Sequence, residues 1–341
     1  MSEIVFDRLQ LGPQTGTPGS PGAAVAATSV FPIDAGLIDP DLDRGYASPD
    51  EDYGSLSRHQ TNRASYGLRS AGVPFTAVLR FEDAMRLLEM RLAGGITPTG
   101  VGPYTWTYTM DDASDTCKVY TAEVGSETAN DEYKLSTCLI TDLELGYDAL
   151  VAPGEHPWKA TATLVAIDRT QAALTAALTA PSAMETIEGH LTTLYEGTTA
   201  TAFASLAELA ASLVGYKLKI SGARPYRAYG SATDLPTAYG LAKPELTIEA
   251  MVKVGATSKT NIFDIFMGAG APAGERRWRV KATGSGTKVL TLDHRVRFTS
   301  VRRSERDGES VYLVAADVVK DATLSSSLQA IVINSVAGPL T

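Results

Sequence analysis

The residues whose types could do chemistry here are four histidines, two cysteines, three glycine-rich runs and one basic run. A metal-binding histidine pair needs short or helical spacing, so that two imidazoles converge on one ion. His59, His156, His190 and His294 are scattered and lack it; His156 lies in a turn, GEHPW, and His294 on the apolar face of a strand. Cys117 and Cys138 form neither a CxxC nor a metal pattern. They read as small strand residues, and a disulfide between them stays open, since sequence does not give the distance. A phosphate loop needs a glycine directly before its lysine and a helix behind it, because backbone N–H groups and the helix N-terminus hold the phosphate. GATSKT at 255–260 lacks that glycine, and GSGTKV at 284–289 places Thr287 before Lys288 and runs into a strand. GAGAPAG at 268–274 follows a helix where a dinucleotide fingerprint follows a strand. No GxSxG, HExxH or EF-hand loop occurs. No catalytic residue, cofactor or metal is therefore expected, and the chain reads as a non-enzyme.

The basic run RRWRVK at 276–281 interleaves Trp278 with charge, a pattern open to nucleic-acid binding. It equally fits an alternating strand, with Arg277, Arg279 and Lys281 on one face and Trp278 and Val280 on the other. The net charge of −9 argues against a general nucleic-acid binder. That charge is uneven. Residues 1–170 hold 12 Lys/Arg and 24 Asp/Glu, whereas residues 171–341 hold 18 and 15. Such asymmetry marks interaction surfaces more often than fold. No apolar run approaches the roughly 20 residues of a membrane helix, and no secretory leader is expected.

The elements that must position these residues are mostly strands. Strands are predicted at 73–80, 104–110, 117–124, 134–147, 157–167, 215–221, 245–254, 276–282, 288–301 and 310–320. Phe81 to Ala93 is predicted helical, with Phe81, Ala84, Met85, Leu88 and Leu92 on one face and Gly94-Gly95 as the stop. Residues 200–214 and 259–267 also read as helices. At 341 residues, two domains are expected. The boundaries read as an N-terminal Gly/Pro-rich arm at 1–30, a first β domain at 31–170 with a long acidic loop at about 39–62, a linker at 171–195, and a second β domain at 196–341. The fold class is mainly β with short helices, an α+β chain.

The second half echoes the first. LITDLEL at 139–145 aligns with LDHRVRF at 292–298 at an offset of 153, and strand-plus-helix 75–94 resembles 244–270. The first copy carries extra residues between about 100 and 135. On the outward positions, Asp142 and Glu144 correspond to Arg295 and Arg297. These four are either solvated charges of little weight or complementary groups that join one copy to another.

SAGVPFTAVLRFEDAMRLLEMRLAGG at 70–95, PYTWTYTMDD at 103–112, CLITDLELGYDALVAPGEHPWKATATLVA at 138–166 and TLYEGTTATAF at 193–203 resemble the major tail tube proteins of long, flexible-tailed phages. That resemblance implies two tandem β-sandwich tail-tube-like domains, each with a flanking helix. It implies a ring, a trimer with pseudo-sixfold symmetry for a duplicated chain, stacking into a tube through which DNA passes without specific binding. Tape measure and terminator proteins would be partners, with no membrane anchor. The chain would be assembled in the host cytoplasm and end in the virion tail. An acidic bore would ease sliding of DNA, and makes Asp142 and Glu144 lumen candidates as well. Two alternatives remain at this stage. One is a decorating or tail-terminator protein; the other is a β-sandwich binding module or enzyme, for which Tyr104, Trp106 and Tyr108 offer the one aromatic stripe.

Overall fold

The computed structural model describes residues 8–34, 41–47, 65–94, 97–110, 117–126, 132–148, 156–178, 184–210, 212–222, 226–227, 237–240, 244–268 and 274–337. In the first half the main elements are β1 (Arg8–Pro13), β2 (Ser29–Phe31), β3 (Asp41–Ala47), β4 (Ser65–Val78), α1 (Phe81–Glu89), β5 (Tyr104–Thr109), β6 (Tyr120–Gly125), β7 (Tyr133–Asp148), β8 (Lys159–Ala166) and β9 (Asp168–Gln171). The second half holds β10 (Thr192–Gly197), β11 (Ala207–Glu208), β12 (Leu213–Ser221) and β13 (Glu245–Lys253). A second helix, α2, runs from Ala256–Ser258 into a π-helical Lys259–Asp264. It is followed by β14 (Glu275–Thr283), β15 (Val289–Arg306), β16 (Glu309–Val319) and β17 (Leu328–Asn334). The fold is mainly β, as the alternating patterns require.

Two long strands organise everything. The C-terminal part of β7 lies in a main sheet of eight antiparallel strands, ordered β3-β4-β8-β7-β12-β13-β16-β15. Its N-terminal part leaves that sheet and pairs with β6 and β9 in a second one, ordered β2-β1-β6-β7-β9. β15 forks in the same way, its N-terminal part pairing with β14 and β17 in the order β11-β10-β14-β15-β17-β5. Each fork contains one extra residue, Thr141 in β7 and Thr299 in β15, a bulge that bends the strand and reverses which side chains face inward. Leu143 and Leu145 after the first bulge, and Val301 after the second, return to the core face.

The repeat holds at the level of hydrogen-bond register. Asp142 and Ser300, the first residues paired beyond each bulge, stand 158 apart, and their hairpin partners Thr163 and Ala315 stand 152 apart. An offset of 175 separates Val78 from Lys253 at the ends of β4 and β13, and also Phe81 from Ala256 at the starts of the helices. The uniform offset of 153 is thereby corrected. Asp142 and Glu144 correspond to Ser300 and Arg302, not to Arg295 and Arg297. The bulges fix the register, while the hairpins differ in length: β15 and β16 turn at Asp307 and Gly308, both at positive φ, whereas 149–158 separate β7 from β8. The extra residues of the first half include β5, which pairs with β17 of the second.

Several expectations are revised. The N-terminal arm contains β1, an interior strand whose Leu9 and Leu11 are fully buried. The loop at 39–62 contains β3, and its residues 39–40 and 48–62 lie outside the described residues. The stretch read as a linker, 171–195, contains Ile187, which is buried and bonded through its backbone to Leu79 and Trp158, and the first residues of β10. Among the described residues, 200–214 form no α-helix, only a single 3-10 turn at Phe203–Ser205. Phe203, Leu206 and Leu209 are pinned separately into the core, with Arg277 over the Phe203 ring and the Leu209 N–H bonded to Leu194. Tertiary burial has overridden the helical propensity of an Ala-rich segment.

Helix α1 ends at Glu89 rather than Ala93, where tertiary contacts take the carbonyls at its end: the N–H of Lys118, just before β6, bonds Glu89 O at 2.9 Å, and Ile140 N–H of β7 bonds the O of the C-cap Met90 at 3.4 Å. Its expected apolar face is buried, and so are Glu82, Asp83 and Glu89. Burial raises the Asp83 carboxyl to about 6 and the Glu89 carboxyl to about 7, the latter although Tyr120 Oη donates to it at 2.8 Å. A carboxyl whose folded pKa lies above its ordinary value favours folding at low pH, and that contribution is lost as pH rises through the folded pKa. Glu89→Gln, which keeps an acceptor for Tyr120, is therefore expected to stabilise the protein at pH 8 by on the order of 2 kcal/mol and to change little at pH 5. Thermal melts of both proteins at the two pH values check this.

Candidate assembly surface

The main sheet has one buried and one polar face, as strand alternation dictates. Leu143, Leu145, Leu218, Ile220, Ile248 and Val252 point into the core. Asp142 and Glu144 on β7, Lys217 and Lys219 on β12, and Glu249 on β13 point the other way. This polar face is strongly concave. Four strand spacings of about 4.8 Å separate β7 from β15 in a flat sheet, yet Arg306 at the end of β15 contacts Asp148 at the end of β7 at 2.8 Å. The curl encloses a trough of about 700 Å³ lined by Glu144, Lys159, Lys217, Glu249, Arg302 and Arg306.

All four sequence-derived charges lie on this face, but they are not brought together. Glu144 pairs with Lys217 at 3.0 Å. Arg295 and Arg297 both bond Glu275, Arg297 Nε at 2.9 Å. Burial acts against the Glu275 charge, but the two guanidinium groups hold its carboxyl below the usual range. Asp142 sits opposite Thr163. The face carries both signs of charge. The basic run is an alternating strand with Trp278 and Val280 buried, and its arginines are engaged: Arg276 with Glu196 at 3.3 Å, Arg277 with Asp321 at 2.7 Å and Arg279 with Asp293 at 2.7 Å. Trp106 and Tyr108 are buried, so the aromatic stripe is core and not a binding groove. Cys117 and Cys138 are buried and not disulfide-bonded. Among the described residues no cluster of three metal-ligating side chains occurs, and no helix is long and apolar enough to cross a membrane.

The two halves meet edge to edge. β7 pairs with β12 from Leu143↔Ile220 to Asp148↔Gly215, making one sheet of two repeats. An aromatic row crosses this junction. Tyr147 and Trp158 lie 5.4 Å apart, Trp158 and Tyr216 5.8 Å, and Tyr216 and His294 6.1 Å. Burial pushes His294 down to about 3, which keeps it a neutral packing group. Behind the sheet, Asn334 of β17 donates to the Phe81 carbonyl at 2.8 Å and accepts from Trp106 at 3.1 Å. Lys288 pairs with Glu82 at 2.6 Å. Sequence reasoning missed β17, although its Leu328, Ala330 and Val332 alternate into the core. It also missed the β7–β12 junction, which no local pattern marks.

The main sheet ends, among the described residues, in two edges. Among the described residues, β3 pairs only with β4, and β15 beyond Phe298 pairs only with β16. Such edges template further strand pairing. A scan against protein-family models finds no match, and a search of the curated proteins finds no significant relative.

The junction rests on backbone pairing and close approach. A Cβ on Gly146 would stand 2.3 Å from the Tyr216 carbonyl, and backbone has no room to yield. Gly146→Val is expected to cost about 2 kcal/mol or more, whereas Glu144→Ala, which removes only an exposed ion pair, is expected to cost under about 1 kcal/mol. Urea unfolding of the two variants checks the contrast.

Proposed function

We propose that this chain is a structural subunit of a phage tail tube, with the two register-matched halves acting as tandem tube-fold domains. The observation that carries the reading is the β7–β12 junction. Two copies of one unit join there by strand pairing, as neighbouring subunits of a ring would. The resemblance of 70–95, 103–112 and 138–166 to tail tube proteins supplies the rest. Three chains would contribute roughly 24 strands, and at about 4.8 Å per strand a barrel of about 115 Å circumference or more, depending on tilt. Its concave polar face would line the bore and let a DNA duplex pass without specific contacts. The mixed charges suit that task, since Glu144 and Lys217 neutralise one another and leave fewer free cations to hold phosphate. Rings would stack head to tail, as heterologous contacts with a rise do. Tape measure and terminator proteins would meet the tube in the virion tail, after assembly in the host cytoplasm. No catalytic role is assigned.

Electron microscopy of the purified protein at rising concentration tests the reading. Tubes with a central channel and threefold end views are expected. Closed particles that never stack would favour a decorating or terminator role, and single chains at every concentration would overturn the proposal.

A further inference from the structure

The register offsets between the halves carry the internal junction onto the two ends of the main sheet. The register offsets carry β7 onto β15 by 158 and β8 onto β16 by 152. For the other partner, Gly72 of β4 corresponds to Thr247 of β13, and their neighbours Asp41 and Lys219 stand 178 apart. Applied to the pairs Leu143↔Ile220 and Glu144↔Lys219 of the junction, these offsets give Val301 opposite Leu42 and Arg302 opposite Asp41. We propose that β15 of one chain pairs antiparallel with β3 of a second copy of this chain in that register. The proposal rests on the reading of the chain as a self-assembling subunit and specifies the surface by which it assembles.

Three observations support it. Both strand edges involved lack a strand partner among the described residues. The residue chemistry transfers: an apolar pair stays apolar, and the acid–base pair Glu144↔Lys219 becomes the base–acid pair Arg302↔Asp41, with the signs exchanged. Directly opposed unlike charges favour one register and like charges disfavour it. The third observation is α2. Helix α1 is covered by the second half through β17, whereas α2 buries Ile262 and packs Phe263 on Tyr312 but keeps apolar groups at its end partly exposed among the described residues. The counterparts of the buried Met90 and Leu92 at the 175 offset are Ile265, partly exposed, and Met267, which is 67% exposed. A second chain seated as the second half sits on the first would cover these apolar groups.

Cysteine pairing tests the register. Opposed Cα atoms in an antiparallel pair lie about 4.5–5.5 Å apart, within disulfide reach. Native Cys117 and Cys138 are buried, so mild oxidation addresses the introduced thiols. Asp41→Cys with Arg302→Cys in one chain is expected to give covalent dimers and trimers, while either variant alone gives none. As a check independent of cysteine, Arg302→Asp is expected to raise the concentration for half-assembly by about tenfold or more, and Arg302→Asp with Asp41→Arg to restore it. A crosslink confined to single chains would overturn the proposal by closing the sheet on itself. Assemblies that form normally without the crosslink, and that Arg302→Asp leaves unchanged, would overturn the register while leaving self-assembly intact. Absence of any assembly in the unmodified protein would overturn both.

Discussion

Every strand carries two rows of backbone hydrogen-bonding groups, and among the described residues the main sheet leaves one row unpaired on β3 and one on β15 beyond Phe298. That constraint governs the structure. In the first half β7 offers its edge from Leu143 to Asp148, and β12 of the second half fills it. The same edge on β15 has no such neighbour within the described chain. A sandwich that simply ended there would expose a long paired-strand template to its surroundings, a hazard in a lone protein and a joining surface in an assembly.

The two halves share an architecture but not an environment. The bulges at Thr141 and Thr299 do the same work in both, turning one strand from the main sheet into the layer behind it. Around them the halves diverge. The inserted β5 adds to the second half's back sheet, and α1 is buried beneath that half, with Glu89 held in an apolar site that raises its pKa. The second helix keeps part of its apolar surface open. The differences thus fall where one half meets the other, while the register inside each half is preserved.

Much of the fold was legible locally. Alternation placed β7, β8 and β13 to β16 within a few residues, because each has one face in the core. The start of α1 was legible from Phe81 and its acidic first turn. What failed was decided by distant contacts. β1 hides in a Gly/Pro-rich segment, since only the pairing with β6 makes Leu9 and Leu11 core residues. The Ala-rich 200–214 looks helical until Phe203 and Leu209 find separate pockets. Among the candidate charges, Asp142 and Glu144 were legible as outward residues, but the correspondence with Arg295 and Arg297 was not, because a hairpin of different length hides the true register. The junction between the halves left no local trace at all. It depends on which edge remains free after every other strand has paired.

In the proposed assembly one chain supplies two equivalent units and the edges of its main sheet close on other copies. Native mass spectrometry of the smallest closed assembly tests this. A discrete species of three chains is the result this account requires. A closed species of two or four chains, or an unbroken ladder of sizes with no preferred number, would contradict it.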